Sequence, residues 1–455
     1  MTVMLLCAVP SCGTADTPGE TKPGSDTKTA DTDLQTETEP QTEEQTDPAG
    51  ETEPVSDSGY AFDGSVSEQV LCRYLSRAAT IASRNIDEWD GQNGFHIKKY
   101  ILNTGAKYIA RANDAWAFSK ADDDKWNIQK TFIDEMHEAD PDIVFEACIF
   151  ENVWYWGVYN ITIPAYVFEA FGKEPEEREF VYGDMLFENK KYVDQWGVDL
   201  SVPDITREET QMFLYYRATR YIDAGFEALH LGQVHLMGEN DKNWACFTKV
   251  TNLIRDYAAQ HARRHFVFLN AHTHGITGSD GKLLLDFHMY PSRPAPASGE
   301  SAHGPSESNP QKAVLEVGYV DAIYGKSLGG TTHSGWSCDA LPYLVELDNF
   351  GGVNNSEMFK PNRGSIWIWG LDEISWFGSQ PAWYREEFLQ YAMNWISEHS
   401  DGKGFLAMPA QREARIYAES GECLSLVYYG YNREYFGVAN NDEWIVKKLW
   451  EAAEN

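Results

Sequence analysis

The chain alternates between two hydrophobic patterns from about residue 100 onward. Short runs rich in β-branched and aromatic residues predict strands, and longer stretches with apolar residues every three or four positions predict helices. The predicted strands are Lys107–Ala112, Ile143–Phe150, Ala228–Leu236, Phe266–His272, Leu283–Tyr290, Tyr343–Phe350, Ser365–Gly370 and Gly404–Pro409. The predicted helices are Ser67–Asn85, Trp126–Glu138, Arg207–Ala224, Trp244–Arg264, Ala382–His399 and Asp442–Ala453.

This alternation predicts an α/β fold. Continuous apolar strands that are each followed by a helix indicate a parallel sheet whose outer face is covered. Eight such runs within residues 61–455 favour a (β/α)8 TIM barrel, with an extra strand pair in Arg412–Phe436. A doubly wound open sheet is the alternative, but no glycine-rich phosphate loop follows the first predicted strand.

Three long connections depart from a minimal barrel: Glu151–Val202, Pro291–Pro310 and Gly325–Leu341. They follow the carboxyl ends of predicted strands or lie between the fifth and sixth. In a barrel, that face carries the binding site. We therefore expect long strand-end loops around a site.

The N-terminal part predicts export and a tether. Residues 1–12 form a short apolar run that ends in small residues, as a secretory signal does. Val9-Pro-Ser-Cys12 resembles the lipobox of bacterial lipoproteins, which implies lipidation of Cys12 and a cell-surface location. Residues 13–60 predict a disordered acidic linker, since Asp16 to Asp57 carry 13 acidic residues against two lysines. Residues 61–455 then form the catalytic domain.

Composition restricts the partners. The formal net charge of −33 argues against nucleic acid and anionic lipid, which both need basic patches, so we expect membrane contact only through the anchor. Fifteen Trp, 24 Tyr and 22 Phe supply flat surfaces on which sugar rings stack. We expect a carbohydrate substrate and no protein partner. The sequence has no CxxC pair, and we expect no cofactor and no metal.

Polar pairs occupy one face of three consecutive predicted strands. With a period of two, the pairs are Asn270 with His272, Asp286 with His288, and Glu346 with Asp348. A barrel core needs bulky apolar residues, so polar pairs at strand ends predict a site. Other predicted substrate-binding residues at strand ends are Asp114, Trp116, Gln233, His235, Trp369 and Asp372.

This set resembles the site of the TIM-barrel glycoside hydrolases, over about residues 100–410. Their commonest clan has a catalytic Glu after Asn at the end of strand four and another Glu on strand seven. This sequence has Asn270-Ala-His272 at the first place and Trp369-Gly-Leu-Asp-Glu373 at the second. Because this sequence departs from the clan's pattern, we expect the catalytic carboxylates to be Asp286, Glu346 and Asp348, with Glu151 as a further candidate. Asp286 also fits a structural role, in which it orients an arginine such as Arg293.

Two other classes of function stay open. His272 and His274 resemble the His-x-His motif of metal-dependent amidohydrolase barrels, in which the motif lies on the first strand with a metal-bridging Lys elsewhere. Here it lies on the fourth predicted strand, and no strand-end Lys appears. The other class is a non-catalytic glycan-binding lipoprotein.

Overall fold

A computed structural model describes residues 58–82, 92–113, 116–119, 126–322, 324–350, 352–432 and 440–453. The chain divides into two units, Met1–Asp57 and Ser58–Asn455, and the described residues all belong to the second. Several predictions fall outside the described residues. They are the signal segment, the lipidated Cys12, nearly all of the linker and the binding residue Asp114. The proposed domain boundaries stay predictions.

Ten strands form the two principal sheets. They are β1 (Ala78–Ala82), β2 (Tyr108–Asn113), β3 (Val144–Cys148), β4 (Ala228–His230), β5 (Phe268–Asn270), β6 (His288–Pro291), β7 (Tyr343–Glu346), β8 (Gly404–Leu406), β9 (Met408–Tyr417) and β10 (Cys423–Tyr429). Strands β1 to β5 pair in parallel in chain order, β9 joins β1 in parallel, and β10 joins β9 antiparallel. Strands β6, β7 and β8 form a second parallel sheet.

A few backbone hydrogen bonds connect the two sheets, among them the bond at 2.8 Å from the Asp286 N–H to the Leu269 carbonyl of β5. Between the β5 and β6 regions, the Met289 N–H donates to the Ala271 carbonyl at 3.1 Å. Between β8 and β9 stands only Ala407, whose N–H donates to the Val345 carbonyl at 2.8 Å. The parallel α/β sheet is thus confirmed. The closed barrel stays a prediction, because the described strands form two ladders rather than one.

Helices cover the sheets. The longer ones are α1 (Glu68–Leu75), α2 (Gln92–Thr104), α3 (Trp126–Ala139), α4 (Glu208–Asp223), α5 (Ala245–His261), α6 (Glu373–Ser379), α7 (Ala382–His399) and α8 (Glu443–Ala453). Shorter helical turns are Tyr155–Val158, Ala165–Ala170, Tyr182–Met185, Val234–Met237 and Lys242–Trp244. Two-residue strands pair Val153–Trp154 with Leu200–Ser201, Ala295–Pro296 with Ala313–Val314, and Gly330–Thr331 with Ser337–Cys338.

Side-chain caps explain where several helices begin. The hydroxyl of Ser67 accepts the Val70 N–H at 3.2 Å at the start of α1, and Asp372 accepts the Ser375 N–H at 2.8 Å at the start of α6. None of the helices in the part of the chain that the structure describes combines the length and the apolar character that a bilayer crossing requires.

Two predicted elements are wrong. The helix predicted over Ser67–Asn85 ends at Leu75, and the chain continues as the fully buried strand β1. The strand predicted over Ser365–Gly370 is a series of bends and turns. Trp369 and Gly370 there have φ angles of 54° and 76°, in the left-handed region that a strand does not visit.

Candidate active site

A buried ion pair joins strands β2 and β7. The Arg111 Nε lies 2.8 and 2.9 Å from the two carboxylate oxygens of Glu346. Arg412 of β9 donates to the same carboxylate through its Nη1. All three side chains are buried, so the two guanidinium groups occupy both oxygens of Glu346. Glu346, one of the predicted catalytic residues, is held within this network.

A second carboxylate, Glu146 of β3, lies beside Arg111. Its Oε1 accepts the Arg111 N–H at 3.0 Å, and its Oε2 accepts the Tyr108 hydroxyl at 2.5 Å and the Asn270 Nδ2 at 2.6 Å. The Asn270 Oδ1 lies 2.6 Å from the His230 Nδ1. Burial raises the pKa of Glu146 and lowers the pKa of His230 well below its ordinary value. Asn270 therefore organises the polar interior and is itself fully buried.

Asp348 lies two residues beyond Glu346, and its side chain is 18% exposed. Its Oδ1 accepts from the Arg412 Nη2 at 2.9 Å, and its Oδ2 lies 3.4 Å from the Arg293 Nη1. Burial alone would raise the pKa of Asp348, but the charges of Arg412, Arg293 and Arg111 outweigh it and hold the pKa below its ordinary value. Asp348 is thus an ionised carboxylate that reaches solvent.

Arg293 is fixed from two sides. Its Nη1 lies 2.7 Å from the Glu373 Oε1, and its Nε lies 2.6 Å from the Asp321 Oδ1. Glu373 also accepts the backbone N–H groups of Ser292, Arg293 and Asp348 at 3.0–3.1 Å. Glu373 therefore connects Ser292 and Arg293, which follow β6, to Asp348, which follows β7. These bonds set the position of Asp348.

Glu151 follows β3 at the same edge of the sheet. Its two carboxylate oxygens accept the Gln233 N–H at 2.8 Å and the Gln233 Nε2 at 3.0 Å. Burial raises the pKa of Glu151, and its hydrogen-bond partner Gln233 is neutral. Glu151 is therefore, like Glu146, a carboxyl group whose pKa burial raises, although the hydrogen bonds from Gln233 oppose that shift.

Gly232 and His272 connect the surroundings of Glu151 to those of Asp348. The Gly232 carbonyl accepts the His272 N–H at 2.9 Å, and a Cβ on Gly232 would come within 2.1 Å of the Glu151 Oε2. Burial lowers the pKa of His272, and the negative charge of Asp348 opposes that shift. Glu151, His272 and Asp348 therefore follow the carboxyl ends of β3, β5 and β7, and His272 is linked to the surroundings of both carboxyl groups.

Aromatic rings stand beside Glu151. The Trp196 indole N–H donates to the Glu151 carbonyl at 3.4 Å. The Trp116 ring packs on Trp196 and on Phe150, with ring centroids 5.5 and 5.0 Å apart, and remains 39% exposed. Trp116, predicted as a substrate-binding residue, therefore presents a partly exposed indole beside Trp196, which bonds to the Glu151 backbone.

Two of the predicted residues lie deep in the fold. Asp286 accepts the Arg255 Nη1 and the Leu269 N–H, both at 2.8 Å, so it ties helix α5 to strand β5. The arginine it binds is Arg255, and the expected pairing with Arg293 is wrong. His288 is buried, and its Nδ1 has no hydrogen-bond partner among the described residues.

Trp369 and His235 have partners outside the charged network, whereas Asp372 lies close enough to Asp348 for that charge to raise the pKa of Asp372. Trp369 is fully buried and packs on His303, with ring centroids 5.4 Å apart. Asp372 is buried as the cap of α6. His235 is exposed, and its Nε2 lies 2.8 Å from the Thr273 hydroxyl.

The histidines of the His-x-His motif point to different surroundings. His272 lies among the charges around Asp348, whereas His274 is exposed and packs edge-on against Tyr290 at 5.3 Å. Among the described residues, no three His, Cys, Asp or Glu side chains meet in an arrangement that could hold a metal ion.

Five charged residues of the network had no site role assigned from the sequence: Arg111, Glu146, Arg293, Glu373 and Arg412. Two of them carried a signal, because Arg111 and Glu146 each interrupt an otherwise apolar strand run. A charge at such a position is buried and requires an opposite charge or hydrogen-bond donors.

Comparisons with known proteins give distant similarities. No family model and no curated protein matches the chain. Among solved structures, an acarbose-soaked debranching enzyme from Nostoc punctiforme aligns at 10% identity over 82% of each chain, with a TM-score of 0.39. In another structure of that enzyme the match covers 48% of this chain and 52% of the other, at 11% identity and a TM-score of 0.29.

A β-L-arabinopyranosidase from Geobacillus stearothermophilus in complex with arabinose aligns at 12% identity over 48% of this chain and 54% of the other, with a TM-score of 0.29. The chain thus spans about half the length of two of these three structures. At such scores the similarities assign neither fold nor function, and the proposal below rests on the geometry of the site.

Proposed function

We propose that this protein is a glycoside hydrolase-like enzyme that uses Asp348 and Glu151 on a carbohydrate substrate. The observation that supports it is a pair of unlike carboxyl groups that follow the carboxyl ends of β3 and β7. Asp348 is held ionised by Arg412 and Arg293, whereas Glu151 is buried against the neutral Gln233. Hydrolysis of a glycosidic bond needs one carboxylic acid and one carboxylate.

In this proposal, Glu151 protonates the oxygen of the leaving group. Asp348 either attacks the anomeric carbon, with retention of configuration, or activates a water molecule, with inversion. Arg412 and Arg293 keep Asp348 charged, and Trp116 offers its indole face to a sugar ring. The configuration of the first product, read by proton NMR, distinguishes the two routes.

The test compares aryl glycosides whose leaving groups differ in basicity. Glu151→Gln should reduce kcat/KM about 10²–10⁴-fold on glycosides with a basic leaving group, since general acid catalysis contributes that much. It should reduce it far less on dinitrophenyl glycosides, which need no protonation. Asp348→Asn should reduce the rate on both substrates.

The exposed carboxylate Asp401 supplies the control, because Asp401→Asn should leave both rates unchanged. Thermal unfolding checks that each variant is folded. If Glu151→Gln slows both kinds of substrate equally, Glu151 is not the acid. If the wild type binds glycans and hydrolyses none, the protein is a non-catalytic glycan-binding lipoprotein instead.

We also propose that the protein is exported and anchored to the cell surface through Cys12. The apolar segment, the lipobox-like Val9-Pro-Ser-Cys12 and the acidic linker support this proposal. Expression in a bacterial host with labelled palmitate should label the wild type and leave Cys12→Ser unlabelled. Label on both proteins, or on neither, would contradict the anchor.

A further inference from the structure

Three neighbouring aromatic side chains project from the long connection after β3. The hairpin of Val153–Trp154 with Leu200–Ser201 closes this excursion, and the short helix Tyr155–Val158 begins directly after the hairpin's first strand. Trp156 is 57% exposed, Tyr159 52% and Tyr155 36%. We call Tyr155, Trp156 and Tyr159 the aromatic platform.

The rings of the platform are held in place. Tyr155 lies 4.9 Å from Trp156 in an edge-to-face arrangement, and 6.3 Å from Tyr159 in a stacked one. The Trp156 indole N–H donates to the Asp199 Oδ2 at 3.2 Å, and the Asp199 carbonyl accepts the Tyr155 N–H at 2.9 Å. These bonds orient the indole while more than half of its surface stays in water. A binding surface that is already ordered loses little entropy when a ligand arrives.

The platform is a contiguous patch rather than a scattered exposed residue. Single apolar side chains on a surface are ordinary, whereas adjacent exposed rings mark interaction sites. The hydroxyls of Tyr155 and Tyr159 and the indole N–H of Trp156 give the patch polar edges. Such rings suit a partner that offers both apolar faces and hydroxyl groups.

Charge selects among partners. Residues 151–202 contain ten Asp and Glu against four Lys and Arg, so a polyanion or an anionic membrane would be repelled. The carboxylate of Asp199 lies at the platform and can accept hydrogen bonds from hydroxyl groups. A neutral, polyhydroxylated chain can stack on the rings and donate hydrogen bonds to Asp199, and the negative charge does not repel it.

We propose that the aromatic platform binds a neutral polysaccharide chain, as a second contact separate from the Asp348 region. The inference rests on the proposed function, because it extends that substrate to a polymer. The platform begins shortly after Glu151 in the chain. The same excursion carries Trp196, whose indole N–H donates a hydrogen bond to the Glu151 carbonyl. A long glycan bound at the platform is thereby kept beside the proposed site.

The experiment measures binding apart from turnover. The full chain, with Asp348→Asn to prevent hydrolysis, migrates in native gels that contain galactomannan, xylan or amylopectin, with polygalacturonate as the charged comparison. At least one neutral polymer should retard the protein, and polygalacturonate should not. Trp156→Ala should weaken the affinity for the neutral polymer about tenfold, because one stacked aromatic contact is lost.

Matched variants separate binding from folding. Trp156→Phe keeps a flat ring and should retain most of the affinity, and Tyr159→Ala should lose part of it. Trp444→Ala removes another exposed indole, 46% exposed on α8, and should bind as the parent does. In the chain with Asp348 intact, Trp156→Ala should slow hydrolysis of the polymer and leave aryl glycosides unaffected.

Several alternative results would overturn the platform proposal, and one would affect the proposed catalysis alone. No retardation by any neutral polymer, or equal retardation of the parent and Trp156→Ala, removes the platform as a glycan site. Concentration-dependent self-association that Trp156→Ala abolishes would assign the patch to a second copy of the chain. Binding to phosphatidylglycerol vesicles would assign it to a membrane. Glycan binding without hydrolysis by the wild type would reject only the proposed catalysis.

Discussion

Arg111 and Glu346 are 235 positions apart in the chain, yet Nε of the arginine lies 2.8 and 2.9 Å from the two carboxylate oxygens. Both side chains are buried, and Arg412 shares the same carboxylate. Desolvation of such charges is costly, and the network offsets that cost only while every member is present. The pair therefore fixes β2 against β7 and makes this centre sensitive to the loss of one charge.

Glu346→Gln should lower the free energy of unfolding by about 3 kcal/mol or more, because it leaves Arg111 and Arg412 buried without their shared carboxylate. Urea unfolding followed by circular dichroism measures the change. Asp401→Asn, which breaks the exposed pair with Lys326, is the control and should show no measurable change. Equal stability of Glu346→Gln and wild type would refute a structural role for this ion pair.

Gly232→Ala should displace Glu151. Its φ of +64° disfavours a side chain, and the new Cβ would lie 2.1 Å from the Glu151 Oε2 and 3.0 Å from the Glu151 N. Gly172→Ala is matched in backbone, with φ +70°, and apart from its chain neighbours no described atom would lie within 4 Å of the new Cβ, so it should cost only about 1 kcal/mol. Gly232→Ala should cost more and reduce hydrolysis, measured by urea unfolding and aryl glycoside assays. Equal losses in the two variants would show that Glu151 tolerates the contact.

Hydrophobic patterning predicted most of the sheet, because strands β2 to β8 all lie within or overlap predicted apolar runs. Strand β1 was missed because its sequence, AATIA, contains three alanines, and alanine is the strongest helix former. The error at Ser365–Gly370 arose because alternating Ile and Trp imitate a strand. Only backbone geometry, with the left-handed Trp369 and Gly370, reveals the turn.

The site was predicted less completely than the fold. Alternation identified Glu346 and Asp348 as a polar pair at a strand end, and the structure places both on Arg412. The arginines could not be assigned, because each bonds to residues far away in the chain. Asp286 and His288 have the same alternating pattern as Glu346 and Asp348. Neither reaches the charged network, since Asp286 faces Arg255 of a covering helix.

The wild-type protein should lose stability as pH rises because of Asp372, and Asp372→Asn should not show this loss. Burial raises the pKa of Asp372 from 3.8 to about 7. Between these values the folded state holds a proton that the unfolded state has released, so wild-type stability falls as pH rises through this window. Asparagine also caps helices, so the Ser375 N–H keeps an acceptor.

Urea unfolding at intervals from pH 4 to pH 8 provides the comparison for Asp372. The stability of Asp372→Asn relative to wild type should rise across this range. Asp241→Asn gives the cost of the same change at a second helix start, where Asp241 accepts N–H groups of Cys246 and Phe247. A constant difference between Asp372→Asn and wild type would mean that Asp372 is ionised throughout.

His288→Leu should have the opposite dependence on pH. Burial lowers the pKa of His288 from 6.5 to about 3, and within the part of the chain that the structure describes its Nδ1 has no hydrogen-bond partner. Between these values the unfolded state binds a proton that the folded state excludes, so wild-type stability falls as pH falls, by at most about 1.4 kcal/mol per pH unit. His288→Leu removes this titration and an unsatisfied polar atom, so its stability should match that of wild type near pH 7 and exceed it at pH 4.5.

Met289→Leu, a volume-conserving change at the next buried position, is the control, and its stability should run parallel to that of wild type. If His288→Leu also runs parallel to wild type in urea unfolding from pH 7 to pH 4.5, then His288 is protonated inside the folded protein.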